Sequence, residues 1–352
     1  MNKFRFLTSG ESHGKCLTAI IEGLPSGLEI DEDFINEELK RRQQGYGRGG
    51  RMKIETDTVE ITSGVRFGKT TGAPVCLVIR NKDFANWEKI MSTSPEDETD
   101  EKSFTTIRPG HADYAGSVKY NHKDLRNVLE RSSARKTAIE VAVGAVAKLL
   151  LKEFNIHGHS YIIQIGKGLV EEDFHREIDN AKASGDTLGG KFEIVYENIP
   201  VGLGSFVHWD RKLDGRIAQA VMSIPAVKVV EIGTNPLGIK GSQYHDEIYL
   251  ENGAVKHRTN NAGGIEGGMS NGENITVKAV MKPIPTLRKP LKSIDIKEMT
   301  EAEAHFERSD TCAVEACAVV AESRVAWILA DEILTKFGGD SLEEIKRNFG
   351  QS

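Results

Sequence analysis

Cysteine is scarce in this 352-residue chain, with Cys16, Cys76, Cys312 and Cys317 at irregular spacing. Four scattered thiols exclude a disulfide framework and fit a reducing cytoplasm. Cys312 and Cys317 stand far from His157 and His159 in the sequence, which is not zinc spacing. No metal centre is expected, and two buried helical cysteines account for the pair better. No stretch of about 18 uncharged apolar residues occurs, which argues against a membrane span. The opening MNKFRFLTSGESHG lacks a continuous apolar run, so it does not read as a secretory signal. Gly64-Val65-Arg66-Phe67-Gly68-Lys69-Thr70 leaves three residues between its glycines where a P-loop needs four, and a Rossmann fingerprint is likewise missing. Ser12, in Gly10-Glu11-Ser12-His13-Gly14, lacks the G-x-S-x-G spacing of a nucleophile elbow. A Pro/Ser-rich linker is also absent, so residues 1–352 read as one large α+β domain.

What is present is an ordinary globular composition, 39% hydrophobic and 28% charged with a formal charge of -6. A chain of this length buries roughly three quarters of its unfolded surface. Asp31 to Arg42 reads as a helix with Asp31 as N-cap and Phe34, Ile35 and Leu39 on one face. Val59 to Ile61, Val75 to Ile79, Gly190 to Tyr196 and Asn274 to Met281 read as strands, Val75 to Ile79 being apolar enough to be buried on both faces. Thr137 to Phe154 is apolar on most faces, the mark of a core helix. A second such helix runs from about Ala313 to Phe337 and closes at Gly338-Gly339. Arg131-Ser132 precedes one and Arg308-Ser309 the other at spacings differing by two, a short likeness that leaves two related halves open.

Against the acidic total, Lys40 to Lys53 (KRRQQGYGRGGRMK) holds six cations and four glycines in fourteen residues, with no acid. Arginine forks match carboxylate and phosphate, and glycine lets backbone N–H groups approach an anion. Arg41, Arg42, Arg48, Arg51, Arg108 and Arg135 are too many for one phosphate and suit a small polyanion, or a substrate beside an anionic cofactor. His13, on a loop leaving the Phe4 to Leu7 run, and His111, in Arg108-Pro109-Gly110-His111-Ala112-Asp113, are candidates for proton exchange. Arg131-Ser132-Ser133-Ala134-Arg135 opens the long helix, where the hydroxyls serve equally as an N-cap or a phosphate site. The glycine-dense loop Asn260 to Met269 reads as tight turns or as backbone against a flat ligand. Lys282-Pro283-Ile284-Pro285-Thr286 is a proline-held extended segment. Ser92 to Ser103, with five acids, reads as a solvated loop; its place just before Arg108 leaves a lid role open.

In this order, GESHG (10–14), RRQQGYGRGGR (41–51), RPGHAD (108–113), RSSAR (131–135), NNAGGIEGGMSNG (260–272), KPIPT (282–286) and ERSD (307–310) resemble the chorismate synthase family from residue 4 to about 337. The resemblance implies a 1,4-anti elimination of phosphate and a proton from 5-enolpyruvylshikimate 3-phosphate, with reduced FMN and no net redox change. It implies that Arg42, Arg48, Arg51, Arg108 and Arg135 hold the substrate's phosphate and two carboxylates, and that His13 protonates the departing phosphate. His111 would supply a proton to the reduced flavin, and Asp310 would help the flavin accept the substrate proton. The flavin would lie against Arg131, Ser132, Ser133, Pro225, Ala226, Gly267, Lys282, Pro283, Ile284, Pro285, Thr286 and Arg308. The implied fold is a β-α-β sandwich, long central helices between antiparallel sheets, assembled as a homotetramer. With no reductase domain in the sequence, an external flavin reductase is the expected electron source. Lys228-Val229-Val230-Glu231 departs from the family's Lys-Gly-Val-Glu, which bears on the contacts at Pro225 and Ala226.

Two other classes compete. An RNA-binding arginine-glycine patch normally comes in repeats within low-complexity chain, whereas here one copy sits inside a patterned, acidic protein. A conventional flavin oxidoreductase would oxidise its flavin with each turnover.

Overall fold

The computed structural model describes residues 3–49, 56–307 and 310–351. Arg51 and Arg308, named above, lie outside them. Two four-stranded antiparallel sheets carry the architecture. Across the first the order is Arg5–Ser9, Cys16–Glu22, Val75–Arg80 and Val59–Ser63. Across the second it is His157–Ile165, Gly190–Glu197, Ile275–Met281 and Val227–Ile232. Numbered along the chain, both sheets read first, second, fourth, third. A helix joins the second strand to the third in each, Glu32–Gln43 in one and Leu213–Met222 in the other. A long helix comes after the fourth, Thr137–Lys152 and Val314–Phe337 respectively.

Strand periodicity explains which faces meet these helices. Leu17, Ala19 and Ile21 alternate inward on one strand, and Ile275, Val277, Ala279 and Met281 on another. Val75, Leu77, Val78 and Ile79 are all buried, as their near-continuous apolar run anticipates. The two long helices pack on each other; Thr137–Lys152 also meets the first sheet and Val314–Phe337 the second. The layers are therefore sheet, helices, sheet, the expected α+β sandwich. Glycine is required where the helices cross, because a Cβ on Gly144 would sit 2.2 Å from the Ser323 Cβ.

Helix ends follow local chemistry. Asp31 accepts the Phe34 N–H at 3.1 Å and starts Glu32–Gln43. The first long helix stops at Lys152, two residues short of the sequence reading. Asn155 there takes the left-handed conformation (φ 58°), which turns the chain into the next sheet. The second long helix closes at Gly338 (φ 60°), as expected. Arg131 and Ser132 do not open the long helix: they end a separate helix, Arg126–Ser132. Ser133 breaks it, and one tight turn, Ala134–Lys136, leads into Thr137.

The helix layer encloses charge. Glu322 is fully buried, and its carboxylate receives Lys148 Nζ at 2.5 Å, Arg41 at 2.9 and 3.1 Å and the Ser160 hydroxyl at 2.7 Å. Lys148 and Arg41 also reach Glu38. Burial alone would push the Glu322 carboxyl up, but Lys148 and Arg41 overturn this and hold it at about 2.

Glu322→Gln should lower stability by about 3–5 kcal/mol near neutral pH in denaturant unfolding, because it leaves Lys148 and Arg41 to share Glu38. A carboxyl held below its ordinary 4.5 contributes fully above that pH and loses its contribution as the pH falls through about 2. The gap between the parent and the variant should accordingly narrow across that window, and a gap that stays constant would refute the linkage. Gly144→Ala should destabilise by roughly 1–3 kcal/mol through overpacking at the helix crossing, read as a lower melting temperature with unchanged far-ultraviolet circular dichroism.

Candidate functional site

Three guanidinium-bearing residues of the anion-trap reading converge. Arg42 lies on the last turn of Glu32–Gln43, Arg48 on the glycine loop that follows, and Arg135 on the turn before the first long helix. Asp57 joins two of them, with Arg135 Nη1 at 2.7 Å and Arg42 Nη1 at 3.6 Å. Asp310 holds the third: Arg48 Nε is 3.1 Å away, and Gly49 donates its backbone N–H at 2.6 Å. Arg42 also donates from Nε to the Thr137 hydroxyl at 2.9 Å. Burial first, and then the like charges of Arg135 and Arg48, push the Arg42 guanidinium down to about 10 despite Asp57 and Asp310. Three cations thus gather around Asp57 and Asp310, two of them buried, an arrangement with the chemistry to receive an anion.

Asn81 ties this cluster to the histidine loop. Its side-chain oxygen accepts Arg135 Nε at 3.0 Å and Nη2 at 2.8 Å, while its amide donates to the Gly14 carbonyl at 2.7 Å. His13 is buried; Glu130 lies 2.8 Å from its Nδ1, and Trp87 stacks on it with ring centroids 3.8 Å apart. From Glu130 the polar contacts continue through Arg126 (3.6 Å) to Glu307 (2.6 Å from Arg126). Burial would raise the Glu307 carboxyl, yet His305 and Arg126 hold it at about 2.

Arg108 and His111 form a neighbouring unit. Asp113 grips Arg108 with both oxygens at 2.8 Å and takes His111 Nδ1 at 2.5 Å. The Asp113 carboxyl lies well below the usual range: burial opposes that, but the bonds from His111 and Arg108 outweigh it. Arg108 is therefore committed to Asp113 instead of joining Arg42, Arg48 and Arg135, although its charge also reaches Glu307.

The residues read as flavin contacts divide. Lys282 donates to the Gly110 carbonyl, a Cβ on Gly110 would meet Pro285, and Lys282 N–H bonds the Ala226 carbonyl at 2.9 Å. Pro225, Ala226, Lys282, Pro283, Ile284 and Pro285 are thereby gathered beside the His111 loop, and Thr286 follows, buried. Burial and then the like charge of Lys228 push the Lys282 ammonium down, so this spot favours an anionic group such as a phosphate. Ala226 sits at φ 73°, a strained conformation of the kind that collects at ligand sites. The departure at Val229 is explained here: Lys228 is the extra residue of a β-bulge and Val229 continues the strand, so no glycine is demanded.

The other residues named from the sequence are placed differently. Arg131 pins the histidine loop, donating to the Gly10 carbonyl at 2.9 Å and the Thr8 carbonyl at 3.0 Å. The Ser132 hydroxyl bonds back to Val128 at 2.6 Å, and Ser133 caps the Arg135 N–H at 3.3 Å. Gly267 and Gly268, both at positive φ, turn the hairpin between Ile265–Glu266 and Met269–Ser270. Gly263 and Gly264 lie against the backbone of Gly233 and Asn274, so much of that loop's glycine serves internal packing. Arg41 belongs to the Glu322 network. A cleft of about 560 Å³ runs between the histidine loop and Phe84 to Thr93; Glu11, Lys15 and Glu88 line it, with Ser92 and Thr93 from the acidic loop. The arginine cluster lies outside its walls.

Asp57, Asn81, Trp87 and Glu130 were missed from sequence, since each is a lone residue outside any dense motif. Asp113 was quoted within RPGHAD, where its spacing from Arg108 and His111 was the available signal.

Among the described residues, no group of three or more potential ligands could hold a metal ion, and no helix is long and apolar enough to cross a membrane. The sequence profile of chorismate synthase matches residues 4–334. The chain is 59% identical to the chorismate synthase of Thermoanaerobacter pseudethanolicus over 351 residues, 98% of this chain and 97% of that one. It is 50% identical to that of Aquifex aeolicus, again over 98% of this chain and 96% of the relative. A crystal structure of chorismate synthase superposes with a TM-score of 0.80 at 42% identity, covering 99% of this chain and 96% of the other. With sequence and fold agreeing over nearly its whole length, the chain belongs to the chorismate synthase family of lyases.

Proposed function

We propose that, within chorismate synthase activity, Arg42, Arg48 and Arg135 hold the anionic groups of 5-enolpyruvylshikimate 3-phosphate, and His13 protonates the departing phosphate. One observation supports this reading: Arg42 and Arg135, both buried, meet at Asp57, Arg48 meets Asp310, and Asn81 fastens Arg135 to the His13 loop. Arg51 extends the same basic run. Arg108, gripped by Asp113, adds positive field and steadies His111 without being a direct clamp.

Chorismate synthases use a flavin, and we assign reduced FMN to this chain. When bound it supplies electron density to the allylic system as the C–O bond breaks, and is returned unchanged. Lys282 and the segment to Thr286, with Pro225 and Ala226, are the residues that would hold it, the paired charges of Lys282 and Lys228 suiting its phosphate. Gly267 and Arg308 remain assigned by resemblance. Arg131, Ser132 and Ser133 act through the histidine and arginine loops they brace. His111, oriented by Asp113, exchanges a proton with the bound cofactor, and Asp310 helps remove the substrate proton.

The wider setting is also a proposal: a cytoplasmic homotetramer fed by a separate flavin reductase, with neither nucleic acid nor membrane as partner. All four cysteines are free thiols, as a reducing compartment requires. The outer face of the first sheet exposes Leu7 and Ile20, an apolar surface that assembly would cover.

Under anaerobic conditions with substrate and chemically reduced FMN, chorismate and phosphate should appear in equal amounts with the flavin still reduced. One flavin oxidised per product, or no chorismate, would overturn the assignment. Arg48→Ala should lower kcat/KM by roughly 10–150-fold, the equivalent of one charge-assisted hydrogen bond of about 1.5–3 kcal/mol, with the loss concentrated in KM; an unchanged KM would remove Arg48 from the substrate site.

A further inference from the structure

Glu130 takes no part in the roles assigned above, yet it holds the histidine loop at three points. It sits near the end of Arg126–Ser132, and its side chain is 3% exposed. One carboxylate oxygen lies 2.8 Å from His13 Nδ1, and the other accepts the His13 backbone N–H at 2.8 Å. Its own backbone carbonyl accepts the Ser12 N–H at 2.9 Å. A single residue therefore fixes the loop backbone at two successive positions and the ring at a third point. Trp87 fixes the plane of that ring from one side, stacking at 3.8 Å and 19°.

Glu130 is itself held. Arg126, one helical turn earlier, lies 3.6 Å from the same carboxylate oxygen and donates to the Lys102 carbonyl at 2.9 Å. Its other nitrogen reaches Glu307 at 2.6 Å, at the head of the Glu-Arg-Ser-Asp segment that ends in Asp310. The carboxylate that orients His13 is thus backed by a row of charged groups, Arg126 and then Glu307.

We propose that Glu130 is the positioning residue of His13, fixing its tautomer and aiming Nε2 at the departing phosphate. The inference rests on the proton-donor role given to His13. An ionised carboxylate only accepts hydrogen bonds, so the proton between Glu130 and the ring belongs to Nδ1. The proton that moves is then the one on Nε2: the Nε2–H bond breaks, a phosphate O–H bond forms, and the substrate C–O bond breaks with its electron pair leaving on phosphate. His13 is left neutral and Nδ1-protonated, the form Glu130 retains. A backbone bond from the same carboxylate keeps ring and loop moving together, so the alignment survives substrate exchange.

Glu130→Gln in the full chain, assayed with reduced FMN, tests this. It should lower kcat by about 10²–10⁴-fold, the range seen when a histidine loses its orienting carboxylate, with little change in KM. Long-range ¹H–¹⁵N spectra, with the His13 signals identified by their loss in His13→Ala, should show neutral His13 protonated on Nδ1 in the parent and on Nε2 in the variant. In a His13→Ala background the Glu130 change should have no further effect on kcat. Parental turnover in Glu130→Gln, or an Nε2-protonated ring in the parent, would overturn the proposal. If His13→Ala itself keeps parental turnover, the donor role fails instead, which separates the two claims. Should Glu130→Gln not fold, Glu130→Asp carries the test, retaining Nδ1 protonation with a smaller loss of kcat; parental kcat with the other tautomer would refute it.

Discussion

A cation withdrawn from water needs a carboxylate within reach, and this protein meets that requirement at two depths. In the helix layer Glu322 and Glu38 match Lys148 and Arg41, and the balance is closed. Toward the loops Asp57 and Asp310 face Arg42, Arg48 and Arg135, the open place that the proposed function gives to the substrate. The same helix, Glu32–Gln43, supplies consecutive arginines to both places: Arg41 points to the closed network and Arg42 to the open one. Structural charge and functional charge are separated by a step of one residue, about 100° around the helix.

That step also explains what could be read in advance. The apolar runs of the two central helices announced the core, and the arginine density of Lys40 to Lys53 pointed to the anion site that is proposed above. Which arginine did which task could not be read, because it depends on carboxylates at positions 57, 310 and 322, far away in the chain. Glu130 precedes the quoted Arg131 by one residue and was passed over for the same reason: a lone acid acquires meaning only when the fold brings a histidine to it. Ser132 and Ser133 illustrate the converse. Their motif was visible, but hydroxyls are readily consumed by nearby backbone, and both are.

Glycine reads in the sequence as tight turns or as backbone against a flat ligand, and the structure gives it several uses. Gly144 permits the helix crossing, Gly263 and Gly264 permit backbone to lie on backbone, and Gly267 makes a hairpin turn. The strained position beside the proposed cofactor segment is instead an alanine, Ala226. Composition alone could not have pointed there, since alanine ordinarily carries no backbone signal. The matching strand order of the two sheets was equally hidden, because it concerns pairing between distant segments; we read it, with the matching helices, as two halves of one domain.

Asp57 has an implication beyond neutralising its neighbours. It pairs with Arg135 and stands beside Arg42, so an anion bound there as proposed would have to outbid a resident of like sign. A singly charged metabolite offers no more than Asp57 already provides, whereas a species carrying several negative groups at fixed separation can engage the arginines together. In the proposed function the internal carboxylate would act as a valence filter, screening small acids by number of charges before shape is consulted.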